Sequence, residues 1–247
     1  MSARSSAKSQ LPATMDESPS AAAKVLSAII ERSARVQAPA VKAYVDRLRH
    51  QSPTAKPAEI VARLEKHYLA AVMASGAAVG SAAAFPGIGT LAAMSAVAGE
   101  TVVFLEATSL YVLSVAEVFG IPADHRERRR ALVLAVLVGE DSKHAVADLL
   151  GPGRTSGSWI ADGAATLPLP AVSQLNSRLL KYFVKRYTLK RGAIAFGKLL
   201  PVGIGAVVGG VGNRLMGKRI VSNARKAFGD PPPRWPAALH VLPAPRN

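Results

Sequence analysis

The sequence predicts an all-α protein, in which a single helical domain with Pro-broken hairpins rich in Ala and Gly lies between disordered N- and C-terminal tails. Apolar residues make up 49% of the chain but aromatic residues only 5%. A core filled by Ala, Val and Leu favours closely spaced helices, and strict apolar–polar alternation is hard to find. Two runs, 68–99 and 199–212, contain no charged residue, and each is interrupted by a proline, which breaks a helix.

Composition also sets the expected domain limits. Residues 1–20 contain few large apolar side chains and are expected to be disordered. The helical domain is expected over residues 21–229. Residues 230–247 include six prolines and are expected to form a second disordered tail.

Helix boundaries follow from capping residues and from Pro and Gly. Pro57 and Glu59 make a good first turn, because Pro is tolerated there and an acid favours the helix dipole. Asp124 and Glu127 have capping-box spacing ahead of a later helix. Helices are predicted over residues 21–37, from Pro39, and over about 57–85, 90–119, 126–138, 172–191 and 213–228.

Positive charge is concentrated in the C-terminal part of the chain. The whole chain carries a net charge of +15, and residues 151–247 contain 15 basic and only 2 acidic residues, a net +13. This asymmetry indicates a polyanionic partner, either anionic lipid headgroups or nucleic acid. The alternative is a basic surface that is merely solvated.

One predicted basic helix has two chemically different sides. Leu175, Leu179, Tyr182 and Phe183 share one side, and basic residues occupy another, which is typical of a helix in the headgroup region. An ordinary core face explains the apolar side equally well. Aromatic rings interleaved with basic residues also suit single-stranded nucleic acid. The residues predicted to contact lipid headgroups are Lys181, Lys185, Arg186, Lys190, Arg191, Lys218 and Arg219.

Neither uncharged run has the composition of an ordinary membrane span. A spanning helix needs about 20 mostly apolar residues. The run 68–99 is broken at Pro86 and has few large aliphatic side chains before it, and the run 199–212 is too short. No secretory signal is visible at the N-terminus. We therefore expect a protein on the cytoplasmic side, peripheral to or partly inserted in the inner face of the plasma membrane.

No catalytic motif and no cofactor or metal site is predicted. The chain has no cysteine, and it lacks the zinc-protease and serine-hydrolase signatures. The run from Gly212 to Lys218 has the spacing of a phosphate-binding loop, but Arg219 stands where a hydroxyl should hold magnesium, and no strand precedes it. Asp141, His144 and Asp148 have helical spacing that more often marks a solvated face than a metal site.

The C-terminal segment resembles the EcsC protein family. The resemblance rests on residues 198–201, on Gly203, on residues 205–210 with Asn213, and on residues 224–228. Upstream, residues 76–89, 118–122 and 137–139 are compatible with it, so that it covers roughly 60–228. It implies a helical, bacterial, non-catalytic protein with an envelope- or transport-related role. It supplies no catalytic residues.

The sequence thus predicts a membrane-associated helical protein that binds an anionic bilayer through its basic half. A soluble helical adaptor is the main alternative, and a nucleic-acid-binding protein is the third. Six residues are expected to shape the hairpins: Pro86, Gly87, Pro201, Gly205, Gly209 and Asn213.

Overall fold

A computed structural model gives the structure of the chain. It describes residues 39–82, 90–121, 123, 125–140, 142, 167–197 and 204–237, with side chains omitted for 80–82, 90–98, 184–197 and 204–209. No β-strand occurs among these residues, and most of them are helical, so the all-α prediction is confirmed. The helices are α1 (39–51), α2 (Pro57–Ala82), α3 (Thr90–Val118), α4 (Arg126–Val138), α5 (Leu169–Gly197) and α6 (Ile204–Phe228).

The predicted helix boundaries agree best where Pro or Gly punctuates the chain. α2 begins at Pro57 and α4 covers the predicted residues. The last helix is longer than predicted, because it begins at Ile204 and includes much of the Gly-rich run assigned to a hairpin. The predicted helix 21–37 and the breaks at Pro86 and Pro201 lie outside the described residues.

The N-terminus of α4 differs from the predicted capping box. His125 occupies the N-cap position with an extended backbone, and its side chain makes no capping hydrogen bond. Asp124 lies outside the described residues. The first turn is instead closed by the backbone, since the Arg129 N–H donates to the His125 carbonyl oxygen.

α2 is the central helix of the bundle. It packs most extensively on α6 and then on α3, whereas α4 packs chiefly on α5. Aliphatic residues dominate the core, as a chain poor in aromatics requires. The largest fully buried apolar side chains are Phe228, Ile60, Leu64, Leu105, Leu113, Leu132, Leu134 and Leu179.

α6 runs antiparallel to α2. A Cβ at Gly217 would lie 2.9 Å from Val72 Cγ2 and 3.0 Å from Leu69 Cδ2, while a Cβ at Gly210 would lie 3.7 Å from that of Ala77. The first half of α6 therefore lies along the second half of α2. At Gly217 the two helices approach so closely that a side chain would displace its neighbours.

α3 is also antiparallel to α2. The Tyr68 hydroxyl donates to Thr108 Oγ1 over 3.0 Å, and Tyr68 stacks on Tyr111 with ring centroids 4.8 Å apart. At the other end of α2, Ala58 lines one cleft with Phe119, which follows α3, and with Phe228, which ends α6. The second half of α2 and the first halves of α3 and α6 therefore lie at the same end of the bundle. These are the parts of the three helices with the fewest charged residues.

The segment 229–237 folds back onto the bundle. Trp235 Nε1 donates to the Ala55 carbonyl oxygen over 3.1 Å, and the Arg49 guanidinium carbon lies 4.4 Å from the centroid of the Trp235 ring. Pro236 lies against Gly120, whose φ of +68° favours glycine. Residues 230–237, which the sequence analysis assigned to a disordered tail, therefore have defined contacts with the bundle. Residues 238–247 lie outside the described part.

Candidate functional site

The outer face of α6 combines exposed apolar and basic side chains. Val211 is 51% exposed and Leu215 is 64% exposed, although both are large and apolar. Arg214, Lys218 and Arg219 are exposed beside them. The opposite side of α6 is buried on α2, so these five residues form the solvent face of its middle turns. We call them the α6 outer face.

Helix geometry places the two apolar side chains between the basic ones. Val211 and Leu215 are one turn apart and form the middle of the face. Arg214 and Lys218, also one turn apart, lie to one side, and Arg219 lies to the other. Long basic side chains can extend their charged ends away from apolar surface while their stems remain on it. The arrangement is that of a helix lying at a membrane surface.

The cations of this face differ from those at the end of α6. Among the described residues, none forms an ion pair with Arg214, Lys218 or Arg219. Arg225 and Lys226 by contrast pair with Glu65 and Glu140, each with a nitrogen–oxygen distance of 2.5 Å. The outer face is therefore the part of α6 whose positive charge is not neutralised by a protein carboxylate in the described structure.

Other exposed apolar residues lie at the same level of the bundle. Val103 of α3 is 46% exposed. Because Thr108 lies beside Tyr68, Val103 lies near the level of residue 73 of α2. The exposed positions of α2 around that level are all alanines: Ala70, Ala71, Ala74 and Ala78.

α5 resolves one alternative left open by the sequence. Leu175, Leu179 and Phe183 are buried in the core, so the apolar side of this helix is a core face and not a lipid-facing one. Tyr182 is 51% exposed and Lys181 is exposed. Because Phe183 is buried, it cannot stack on a nucleic-acid base, which removes one ring from the nucleic-acid pattern.

The predicted headgroup contacts belong to two separate helices. Lys181 lies on α5, which packs on α4, and Lys218 and Arg219 lie on α6, which packs on α2. The structure brings together Lys218 and Arg219, and it adds Arg214 to them. Four predicted residues lie in α5 beyond the described side chains: Lys185, Arg186, Lys190 and Arg191.

Of the residues predicted to shape the hairpins, three lie in α6 and three lie outside the described residues. Asn213 is 6% exposed, and its Nδ2 donates to the Val72 carbonyl oxygen over 3.1 Å, so it ties α6 to α2. Gly205 and Gly209 lie in the first turns of α6. Pro86, Gly87 and Pro201 lie outside the described residues.

The phosphate-loop spacing from Gly212 to Lys218 falls inside a continuous helix. The backbone N–H groups there lie within the hydrogen-bonded interior of α6, whereas a phosphate loop presents them to the ligand. The spacing therefore does not form a phosphate loop. In the described part of the chain, no group of three or more His, Asp or Glu side chains is placed to hold a metal ion.

A cleft of about 300 Å³ lies where α2, α3 and the end of α6 meet. Arg225 crosses it, with Nε donating to Glu65 Oε1 over 2.7 Å and Nη2 donating to Glu65 Oε2 over 2.5 Å. Glu65 is 8% exposed, whereas the Arg225 side chain is 68% exposed. Hydrogen bonding to Glu65 raises the pKa of Arg225, and burial, with Glu65 nearby, raises the pKa of Tyr111.

We expect this ion pair to contribute to stability rather than to chemistry. The variant Arg225→Ala leaves the nearly buried Glu65 carboxylate without its bidentate donor, which costs about 2 kcal/mol of unfolding free energy. The variant Lys226→Ala removes an exposed pair and costs less than about 1 kcal/mol. Urea unfolding of both variants measures the difference. Equal losses would show that Glu65 does not need its partner.

The sequence contains no local signal for this pair, because Glu65 and Arg225 are 160 residues apart. The outer face is also missed in part. Val211, Arg214 and Leu215 can be recognised as its members only when the side of α6 that packs on α2 is known.

Within the part of the chain that the structure describes, one helix is long enough and apolar enough to cross a membrane. It is the part of α3 over Gly99–Val118, and 61% of the apolar window found there is buried inside the bundle. A core helix has this property as readily as a membrane span does. The candidate surface therefore rests on α6 and not on this stretch.

Comparisons with known proteins do not identify a relative of this chain. No protein-family model matches the chain, and no curated protein and no solved structure is significantly similar to it. The resemblance to the EcsC family stays a prediction from its motifs.

Proposed function

We propose that this is a non-catalytic helical protein that binds the anionic surface of a membrane from the cytoplasmic side through the α6 outer face. The observation that carries the proposal is the exposed pair Val211 and Leu215 between Arg214, Lys218 and Arg219. An envelope- or transport-related role is what the EcsC resemblance adds to it.

The magnitudes favour reversible attachment. A Lys or Arg near an anionic leaflet contributes about 1 kcal/mol, so three contribute about 3 kcal/mol. Removing the exposed area of Leu215 and Val211 from water adds roughly 2 kcal/mol. A total of about 5 kcal/mol supports peripheral binding that depends on salt, because exposed charges are screened within about 8 Å at physiological ionic strength.

A soluble helical adaptor is the second candidate. The burial of apolar side chains of α3 and α5 favours it, because the bundle then forms its hydrophobic core without help from a membrane. In that case the α6 outer face contacts a protein with an acidic, partly apolar surface. The two candidates predict different behaviour towards pure lipid.

Flotation with lipid vesicles tests the proposal. We expect the protein to float with vesicles containing phosphatidylglycerol, to stay in solution with neutral phosphatidylcholine vesicles, and to be released as salt is raised. A protein that ignores both kinds of vesicle would overturn the proposal in favour of the adaptor. Salt-sensitive binding to DNA of comparable affinity would favour the nucleic-acid alternative.

A further inference from the structure

One end of the bundle has an uncharged described surface, and basic residues of α2 and α6 border it. We define the tip as residues 69–82 of α2, 90–103 of α3 and 204–213 of α6. Antiparallel packing brings these three segments to the same end. Glu100 is the one charged residue in the tip, and it is only 2% exposed, so the outer surface described for the tip is uncharged.

Where side chains of the tip are described, the exposed ones are apolar on each of its three helices. They include Val211 of α6 and Val103 of α3, each about half exposed, and the alanines of α2 at positions 70, 71, 74 and 78. Large apolar side chains that remain in contact with water at one place on a surface mark an interaction site. Alanine adds little to partitioning, so the two valines supply most of it, together with Leu215, which lies two residues beyond the α6 segment of the tip.

Basic residues lie where the uncharged segments end. Lys66 of α2 is exposed one turn before Ala70. Because Gly217 lies beside Leu69, Lys218 and Arg219 lie at nearly the same level as Lys66, and Arg214 lies one turn closer to the tip. In the described structure none of these four side chains pairs with a carboxylate. These four residues, which we call the collar, border the tip with unneutralised positive charge on its α2 and α6 sides, while Glu106 of α3 lies at a similar level.

We infer that the tip inserts into the acyl chains of one leaflet of an anionic bilayer, and that Lys66, Lys218 and Arg219 stop it at the phosphate level, with Arg214 extending back to the same plane. This inference rests on the proposed function and adds the inserted segment and its depth. Charge complementarity favours the bilayer over a second protein, since the cations of α2 and α6 lie at one edge of an uncharged surface, as the phosphates of a leaflet lie at one edge of its acyl chains.

Length decides between insertion and spanning. The part of α2 that lies beyond Tyr68 has 14 residues, which corresponds to about 21 Å at 1.5 Å per residue. The hydrocarbon core of a bilayer is about 30 Å thick, so one leaflet provides about 15 Å. The described part of the tip is therefore long enough to pass through the acyl chains of one leaflet and too short to cross both.

Single cysteines provide the test, because the chain has none. The variants Val211→Cys and Ser222→Cys place an environment-sensitive fluorophore on the same exposed face of α6, three turns apart, above and below the collar. With phosphatidylglycerol vesicles we expect the label at 211 to gain intensity several-fold, shift to the blue and be quenched by lipids brominated on the acyl chains. The label at 222 is expected to change little.

A second pair of variants measures the same depth without a label. Val211→Asp and Ser222→Asp add the same charge, but only the first places it among acyl chains. We expect Val211→Asp to weaken vesicle binding about tenfold more than Ser222→Asp. Vesicle binding with equal responses at both positions would overturn insertion while leaving surface attachment intact. Absence of vesicle binding would overturn both.

Discussion

Reversing the three charges of the α6 outer face, with Arg214→Glu, Lys218→Glu and Arg219→Glu in one variant, abolishes binding to vesicles that contain phosphatidylglycerol. Removing three cations worth about 1 kcal/mol each weakens binding by roughly 150-fold. Reversal adds repulsion between each new carboxylate and the anionic leaflet. Vesicle co-sedimentation at constant ionic strength measures the loss.

The matched control places the same charge change at the far end of the bundle. Arg47, Lys56 and Arg234 are exposed on α1, on the connection that follows it and beside Trp235. The variant that carries glutamate at all three positions has the same net charge as the first. We expect it to retain most of the binding. If both variants lose binding equally, net charge rather than the α6 outer face controls attachment.

The second large effect concerns the end of α6. Phe228 is 2% exposed and packs on Phe119 at the end of α3, with ring centroids 5.3 Å apart. The variant Phe228→Ala removes this ring and leaves a cavity, which costs about 3–5 kcal/mol. Total stabilities of domains are about 5–15 kcal/mol, so the loss is a large part of the whole. Urea unfolding followed by circular dichroism measures it.

Two further variants separate stability from binding. Phe228→Leu keeps most of the apolar volume and is expected to lose clearly less stability than Phe228→Ala. Leu215→Ala changes a side chain that is 64% exposed, so the unfolding free energy should change by less than about 0.5 kcal/mol while vesicle binding falls. If Phe228→Ala is as stable as the parent, α6 does not contribute to the core through its last turn.

The sequence predicts where the helices begin and end better than it predicts which side of each helix is buried. Pro57 marks the start of α2 because proline has no N–H to lose in a first turn, and Gly139 ends α4 with a φ of +78° that favours glycine. The beginning of α6 was less predictable. The sequence shows glycines at 205, 209 and 210, which weaken a helix by themselves, and the helix forms because α2 covers it.

The candidate site was predictable only in part for the same reason. Lys218 and Arg219 can be selected as basic residues near an apolar run, but the stripe of Leu175, Leu179 and Phe183 has the same appearance and is buried. An amphipathic pattern indicates that one side of a helix is apolar. Whether that side contacts protein or solvent depends on how the neighbouring helices pack, which the pattern does not show.

The dominance of the α2–α6 packing has a consequence for how the polypeptide is made. The surface of α2 around Leu69 and Val72 is covered by a helix that the ribosome adds more than 130 residues later. Until then that surface has no native cover, and closing so long a stretch of chain is entropically slow. We therefore expect the nascent chain to expose this apolar surface of α2, and to be prone to aggregation through it, until the last helix emerges.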